Sequence, residues 1–509
     1  MASPQILSTV VDLAGQNCHK VATKDAWWDP TTEVLGPSGT YIGQSLPPSR
    51  SESDGGALST LQDCSPQTED PEYKLPDRIS LFLVIAGNAM SQISFFIIVS
   101  SANAYAEHLG GSSTFSGLTI GVPAVFAGLT LIPMVRYDKG KYKLPMNFGY
   151  AAMFLGNILY GLAYRADYLY LILIGRIVSG FGFTTFMYFK RYCSDPRIVG
   201  VRRRTTLASW LVVGQGFGFS GGPFLGGLFY KIGFSNEVFN GYTSPGWMMA
   251  IGWSMFLAGS WFFFEDVRPK APASLPLTTI SSPPRGHTAG SPVPAALLTQ
   301  ALSDAALHDE ENQPVTRQQW GVIFTMMWYA MTCFFILGAW ESNIPVFTAS
   351  VFNYNPYHAG NFIALGGIAT FPLLLVNVWY SGRVQDRVIL AFGSSLGLAG
   401  LIIMLAILLA DKVTFASFYV CWFLVALGFN LASTCTLSLL SKQLPASWNG
   451  KTSMAIQYSN YTGRVLGAVW GGSGVKIGMA NYVGVQIAIV GIGALLHSTL
   501  WRQLKAKTG

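Results

Sequence analysis

The sequence predicts an all-α polytopic membrane protein, with twelve transmembrane helices in two six-helix pseudo-repeats. Three observations predict it. The 509-residue chain is 50% hydrophobic and only 11% charged, whereas soluble domains carry about 25% charged residues. Its apolar residues fall into twelve runs, most of them near the roughly 20 residues that cross a bilayer. Residues 214–227 read Gly-Gln-Gly-Phe-Gly-Phe-Ser-Gly-Gly-Pro-Phe-Leu-Gly-Gly inside one of those runs. Gly214, Gly218, Gly222 and Gly226 recur every fourth residue, so a helix would carry them as one stripe without side chains. In water each costs about 1 kcal/mol against alanine. In lipid such small residues let two helices approach closely. Pro223 removes a backbone donor beside the stripe, so a bend is expected there.

The elements follow in order. Residues 1–78 are rich in Ser, Thr, Gly, Pro and acids and read as a disordered tail. They lack the basic-then-apolar pattern of a signal peptide, so the first membrane helix is expected to serve as its own insertion signal. Six apolar segments occupy 79–104, 115–135, 146–164, 168–189, 205–231 and 246–264, the N-terminal bundle. Residues 265–317 are polar, with Pro-rich and Ser-rich runs and the acidic cluster Asp309-Glu310-Glu311, and read as a linker. The C-terminal bundle, 318–501, holds segments at 319–349, 358–380, 388–410, 413–440, 452–474 and 480–501, and 502–509 is a short tail.

The formal net charge of +7 is explained by topology rather than by nucleic-acid binding. One set of short loops holds Arg136, Lys139, Lys190, Arg191, Arg202, Arg203, Arg204, Arg387, Lys442 and Lys451, while the opposite set holds little beyond Arg165, Lys231, Lys412 and Lys476. The positive-inside bias then places both termini and the linker in the cytosol. The six cysteines show no paired spacing, so neither a disulfide framework nor a metal site follows, and no cofactor is expected. The sequon Asn460-Tyr-Thr462 falls inside an apolar segment, where no glycan could be attached.

The halves echo each other. Val-Arg-Tyr-Asp138-Lys139 follows the second segment and Arg-Val-Gln-Asp386-Arg387 the eighth. Gly180-Phe-Gly182 lies in the fourth segment and Gly428-Phe-Asn430 in the tenth, and the ladder of the fifth returns as Gly463, Gly467 and Gly471 in the eleventh. Three echoes at one offset of roughly 250 residues argue for a duplicated six-helix unit.

On these residues the chain resembles the major facilitator superfamily of secondary transporters over about 79–501. Gly218-xxx-Gly222-Pro223-xx-Gly226-Gly227 is similar to the fifth-helix motif of its drug:proton antiporter branches. Arg176-xxx-Gly180-x-Gly182 resembles the fourth-helix motif associated with proton coupling. Asp138-Lys139-Gly140-Lys141 resembles the loop motif after the second helix, with Met134 where a glycine is expected. Glu341 and Gly463-Arg464 look similar to a narrower branch, which includes the lysosomal transporter of the ceroid-lipofuscinosis group and fungal relatives.

Arg176 lies about eight residues, or roughly 12 Å, into its segment, where an unpaired charge costs several kcal/mol. It reads as an anion-binding or proton-relay group in a central cavity; the alternative is an arginine that holds neighbouring helices together. Glu341 sits about 30 Å of helix beyond Trp320, toward the outer end of its segment. It reads as a proton carrier; the alternatives are an outer-end residue in water and a structural pair to Arg464. Arg464 is near mid-depth and would pair with Glu341 in one state and with substrate in another. Asp138 and Asp386 read as groups that cap the next helix or pair with arginines across the halves to close a cytosolic gate, with Lys139 as a further gating charge; the alternative is a solvated loop. Gly218, Gly222, Pro223, Gly226 and Gly227 read as helix packing. The resemblance places the first and tenth helices along the cavity, and so implies that Asn88, Gln92 and Asn430 meet substrate. Asn157, Gln215, Asn377, Gln457 and Asn460 are further polar groups on the helices.

The expectation is a monomeric secondary active transporter working by alternating access, not an enzyme. It would bind a small-molecule substrate and protons, sit in the lipid bilayer and bind no nucleic acid. The antiporter-like motif implies proton-coupled efflux from the cytosol, and the two mid-membrane arginines, Arg176 and Arg464, point to an anionic or amphipathic organic substrate, such as a secondary metabolite or a drug. The plasma membrane or the membrane of a vacuole, lysosome or peroxisome would hold it. The rival readings are an organellar metabolite or anion carrier acting as importer or uniporter, a non-transporting sensor, and a membrane enzyme. An enzyme would need clustered histidines or acids near one membrane face, which the sequence does not show.

Overall fold

In the computed structural model, residues 74–266 and 316–505 are described, except 139, 196, 234–235, 381–383 and 445–447. All of them fall in the second of the two units into which the chain divides, Thr68–Gly509. The tail to residue 73, the linker from 267 to 315 and Lys139 lie outside the described residues.

Helices fill the two bundles. The first contains α1 (Arg78–Phe96), α2 (Ala102–His108), α3 (Ser113–Tyr137), α4 (Lys143–Leu162), α5 (Leu169–Gly182), α6 (Thr185–Ser194), α7 (Val201–Ile232) and α8 (Ser244–Phe263). The second contains α9 (Arg317–Phe352), α10 (Pro356–Tyr380), α11 (Asp386–Leu409), α12 (Phe415–Gln443), α13 (Asn449–Ile477) and α14 (Met479–Leu500). Local signals set their ends. Asp77 caps α1, Thr316 and Gln319 form a capping box on α9, and Gly233 closes α7 in the left-handed conformation at φ 52°.

Two expected spans are broken. The first splits into α1 and α2 around Ile97–Ser101, where Val99 N–H bonds Phe96 O at 3.0 Å and Ser101 N–H bonds Ile98 O at 3.1 Å, a tighter winding than an α-helix. The fourth splits at Phe183–Thr184, again through short-range bonds such as Phe186 N–H to Phe183 O at 3.2 Å. With these joined, the helices make twelve segments, as the hydropathy pattern predicts. Eight are long and apolar enough to cross a membrane by length and composition. α4, α7, α8 and α13 are at least as long as the shortest of these, but their many Gly, Ser, Asn and Trp residues lower their hydropathy. α7 runs on as helix through Pro223.

The ladders decide how each bundle closes. α7 lies against α1, and α13 against α9. A Cβ on Gly222 would stand 2.6 Å from Phe96 Cβ, and one on Gly226 would meet the Ile97 carbonyl oxygen. In the other half, Cβ atoms on Gly463, Gly467 and Gly471 would meet the carbonyl oxygens of Met331, Phe335 and Ala339. The duplicated glycines thus serve the duplicated contact, letting backbones touch where side chains would hold them apart.

The halves join along two seams, α3 with α13 and α7 with α10. Glycines line both seams: a Cβ on Gly121 would lie 3.1 Å from Val465 Cα, and one on Gly227 would lie 3.1 Å from Tyr357 Cα. Tyr458 Oη donates to Gly128 O across the first seam at 2.9 Å. The α7–α10 contact at Gly227 and Tyr357 marks one end of the molecule. The charged loops after α3, α6, α10 and α12 mark the opposite, basic end.

Candidate functional site

Between the seams lies a cavity of ≈ 290 Å³, walled by residues from both halves. Its bulk is apolar: Phe95 and Phe96 of α1, Phe219 of α7, Phe334 of α9 and Phe371 of α10 all line it. Arg464, Glu341 and Lys190 are its charged lining residues. The wall descends from Arg464 to Gln457 along α13 and from Phe183 to Lys190 across α6, each about 10 Å of helix.

Arg464 and Glu341 form the central feature. Arg464 Nη1 donates to Glu341 Oε1 at 3.2 Å, and Nη2 lies 2.9 Å from Oε2. Glu341 is 1% exposed and Arg464 8%. That burial sets aside a Glu341 standing in outer water. Counting residues measures distance along α9, but the carboxylate is enclosed because α13 packs along that helix. Gly463 permits the approach, since its missing side chain leaves room for the Met331 backbone beside Arg464. The guanidinium also sits 4.9 Å over the Phe95 ring and 5.0 Å over the Phe96 ring. Those rings belong to α1, so one group of the second half is held by its own acid and stacked on aromatics of the first.

Gln92 and Asn430 line the cavity, as do Gln215, Gln457 and Asn460. Asn430 Nδ2 donates to Ala426 O within its own helix at 2.7 Å, leaving its carbonyl oxygen free of that bond. Asn88 is not among the lining residues. It is fully buried, and its Nδ2 donates to Leu211 O at 3.0 Å, tying α1 to α7. Gln92 lies one turn further along the same face, beside Gly218 of the ladder, and at that level it reaches the space.

Arg176 also departs from its expected place. It is 1% exposed, does not line the cavity, and donates through Nε to Thr119 O at 3.2 Å. Nη1 and Nη2 are buried without a hydrogen-bond partner. Its guanidinium lies 5.9 Å from the Phe183 ring, which stands in the cavity wall. Depth along α5 was legible in the sequence; the rotation that turns Arg176 toward α3 was not.

Of the gating charges, Asp138 and Asp386 bond within their own halves. Asp138 Oδ2 accepts from Arg191 Nη1 at 2.6 Å and from Tyr188 Oη at 3.0 Å, and Oδ1 accepts from Gly140 N–H at 2.8 Å. Asp386 Oδ2 accepts from Ser438 Oγ at 2.6 Å and Lys442 Nζ at 2.8 Å. The expected pairing across the halves is replaced in both repeats by a bond within one bundle, from the end of α3 to α6 and from the start of α11 to α12. A second knot ties the α3–α4 loop to the α6–α7 loop. Asp195 accepts from Arg197 and from Tyr142 Oη at 2.7 Å, while Arg197 Nη2 donates to Gly140 O at 2.9 Å. Burial alone would raise the Asp195 carboxyl, but its bonds from Arg197 and Tyr142 hold it down at about 2.

Lys190 is the lining residue that sequence reasoning missed. Charge bias assigns it to a loop with Arg191, but α6 runs on to Ser194 and carries it in the cavity wall. Its side chain is exposed although protein surrounds it, as for a group projecting into an internal space. The signal available was Phe183, Phe186 and Lys190 on one helical face.

The sequence model of the Major Facilitator Superfamily matches residues 81–468. An uncharacterized MFS-type transporter of Schizosaccharomyces pombe is 29% identical over 447 residues, covering 86% of this chain and 84% of the relative. An uncharacterized protein of the same yeast is 30% identical over 463 residues, covering 89% and 88%. An SPX domain-containing membrane protein of Oryza sativa subsp. indica is 25% identical over 462 residues; these span 85% of this chain but 63% of that longer protein. Among solved structures, a D-xylose-proton symporter superposes with a TM-score of 0.63 at 13% identity, covering 84% of this chain and 98% of that one. A POT family transporter in complex with 5-aminolevulinic acid gives 0.61 at 13% identity, covering 84% and 96%. With the sequence model spanning most of the chain and these architectures matching in fold, the chain belongs to the Major Facilitator Superfamily of membrane transporters.

Proposed function

We propose that this chain is a proton-coupled secondary transporter for a small organic anion, working by alternating access. The observation that carries the reading is the Glu341–Arg464 pair, buried in the wall of a cavity shared by the two halves. Among the described residues two cations and one acid line the space, an excess of one positive charge. At ≈ 290 Å³ it is at the small end of ligand sites, which run from roughly 300 to 1,000 Å³.

The pair supplies a coupling device. While Glu341 is ionised, its carboxylate occupies the Arg464 guanidinium and holds it against Phe95 and Phe96. A proton on Glu341 removes the compensating charge and frees Arg464 for an anion. Proton and anion thereby favour the same state of the cavity, which is cotransport by linkage. A Glu341 without its proton recaptures Arg464 and disfavours the anion. The basic end is read as cytosolic from its loop charges.

A second reading is favoured by Gly218-xxx-Gly222-Pro223-xx-Gly226-Gly227, which resembles the motif of antiporter branches. There the entering proton displaces the substrate, and efflux from the cytosol results. One experiment separates them. The full chain is reconstituted in proteoliposomes holding a pH dye, and a panel of mono- and dicarboxylates is offered outside. Cotransport acidifies the lumen as the anion enters; antiport alkalinises it. Counterflow of none of the panel, with no proton movement, overturns the transport reading.

A further inference from the structure

We propose that Lys190 is the anion anchor of this cavity, and that the substrate is a planar, apolar-bodied monoanion such as an aromatic carboxylate. The inference deepens the transport reading and rests on it for the cavity's role.

Lys190 differs from the cavity's other cation. Arg464 is occupied by Glu341 on one side and aromatic rings on the other. No acid among the described residues forms an ion pair with Lys190, whose side chain is exposed inside the wall. Its neighbour Arg191 points elsewhere, onto Asp138 at 2.6 Å. An ammonium held in an internal, mostly apolar space attracts an anion more strongly than one in open water, because screening is weaker there.

The helix break decides what that anion is attached to. The turn at Phe183–Thr184 starts α6 afresh, so Phe186 and Lys190 stand one turn apart on the same face. Phe183 and Phe186 stack at 5.5 Å with planes 10° apart, and both line the cavity. Together they make an apolar aromatic patch, with a ring edge or face turned to the space, ending in a positive charge. A flat ring lying beside Phe186 would place its charged substituent one turn away, at Lys190. Gln457 and Asn460 also line the space and supply neutral hydrogen-bonding groups without a competing charge. While Glu341 holds Arg464, Lys190 is the cation that meets the anion first, and one negative charge satisfies it.

The test uses the full chain in detergent and in proteoliposomes, with 2-naphthoate as probe and 2-naphthamide as its uncharged counterpart. Naphthoate binding, read by its fluorescence, is expected in the wild type, with the amide at least about tenfold weaker, the loss typical of a charge-assisted bond. Lys190→Gln should weaken naphthoate about tenfold and leave the amide unchanged, and Lys190→Arg should restore most of the affinity. In proteoliposomes the same variant should raise KM more than it lowers kcat. Equal affinity of Lys190→Gln and wild type for naphthoate overturns the anchor, as does absence of naphthoate binding to a monodisperse wild type. Lys190-dependent binding without flux of any anion would instead overturn the transport reading and leave the anchor standing.

Discussion

Arg464 holds Glu341 through a hydrogen bond of 3.2 Å and a second contact of 2.9 Å, with both residues nearly closed to solvent. The pair fixes α13 to α9 at the level of the cavity, while its cationic side faces rings from the other half. The stability of that arrangement is therefore tied to the same charge that the proposed cycle must neutralise.

Removing one partner should be worse than removing both. Glu341→Gln leaves the Arg464 charge buried and unpaired, at a cost of about 3–5 kcal/mol. Adding Arg464→Gln should recover a large part of the lost thermal stability in detergent. A double variant that melts no higher than Glu341→Gln would show that the pair is not coupled. Glu341→Gln should also abolish acceleration by a pH gradient in proteoliposomes.

The ladder can be tested one glycine at a time. A Cβ on Gly226 would run into the Ile97 carbonyl oxygen, whereas one on Gly221 meets only Phe217 ring atoms at 3.7 Å or more. Gly226→Ala should destabilise by about 1–3 kcal/mol through overpacking. Gly221→Ala should melt with the wild type or slightly above it, because it lowers the backbone entropy lost on folding. Gly467→Ala, set against Phe335 in the other repeat, should behave like Gly226→Ala. Thermal unfolding of the three variants makes the comparison.

Asp195 predicts a dependence on acid. Its carboxyl titrates at about 2 in the folded protein against an ordinary value of 3.8, so the stability it contributes is complete above about pH 5. That contribution, about 2 kcal/mol, is lost as pH falls from there toward 2. Asp195→Asn should therefore melt lower than wild type at pH 7, and the gap should narrow at pH 3. A gap that is the same at both values would rule out the Asp195–Arg197 bond as its source.

Arg176 and Arg464 should separate in kinetics. Only Arg464 lines the cavity. Arg464→Gln should raise the KM of the best substrate in the carboxylate panel by about tenfold, as for a lost charged hydrogen bond. Arg176→Gln should leave KM within about twofold while shifting the melting temperature, because its one bond joins α5 to the α3 backbone. An Arg176→Gln variant with a raised KM and unchanged stability would return that residue to the substrate path.

The particular misplacements share a cause. Arg176 and Lys190 lie on two helices of one broken span. In each case the sequence indicates roughly how far along the membrane a group sits. Which way it points depends on the rotation of its helix, and in a chain apolar all round that rotation has no hydropathic signature. Packing against neighbours sets it. Asp138 and Asp386 were legible as matched positions of two repeats, but their partners, Arg191 and Lys442, lie on a later span of the same bundle.

The sequence by itself determined the membrane environment, the twelve segments, the duplication and the family likeness. Each is written in local composition or in a repeat at fixed offset, and needs no third dimension to be read. The tertiary structure decided the rest: it enclosed Glu341 with Arg464, withdrew Asn88 and Arg176 from the cavity, and brought Lys190 into its wall. Those outcomes depend on contacts between helices far apart in the chain. The glycine ladders join the two levels. Their spacing is visible in the sequence, but that α7 would close on α1 and α13 on α9 was fixed only when bare backbones met carbonyl oxygens in the folded bundle.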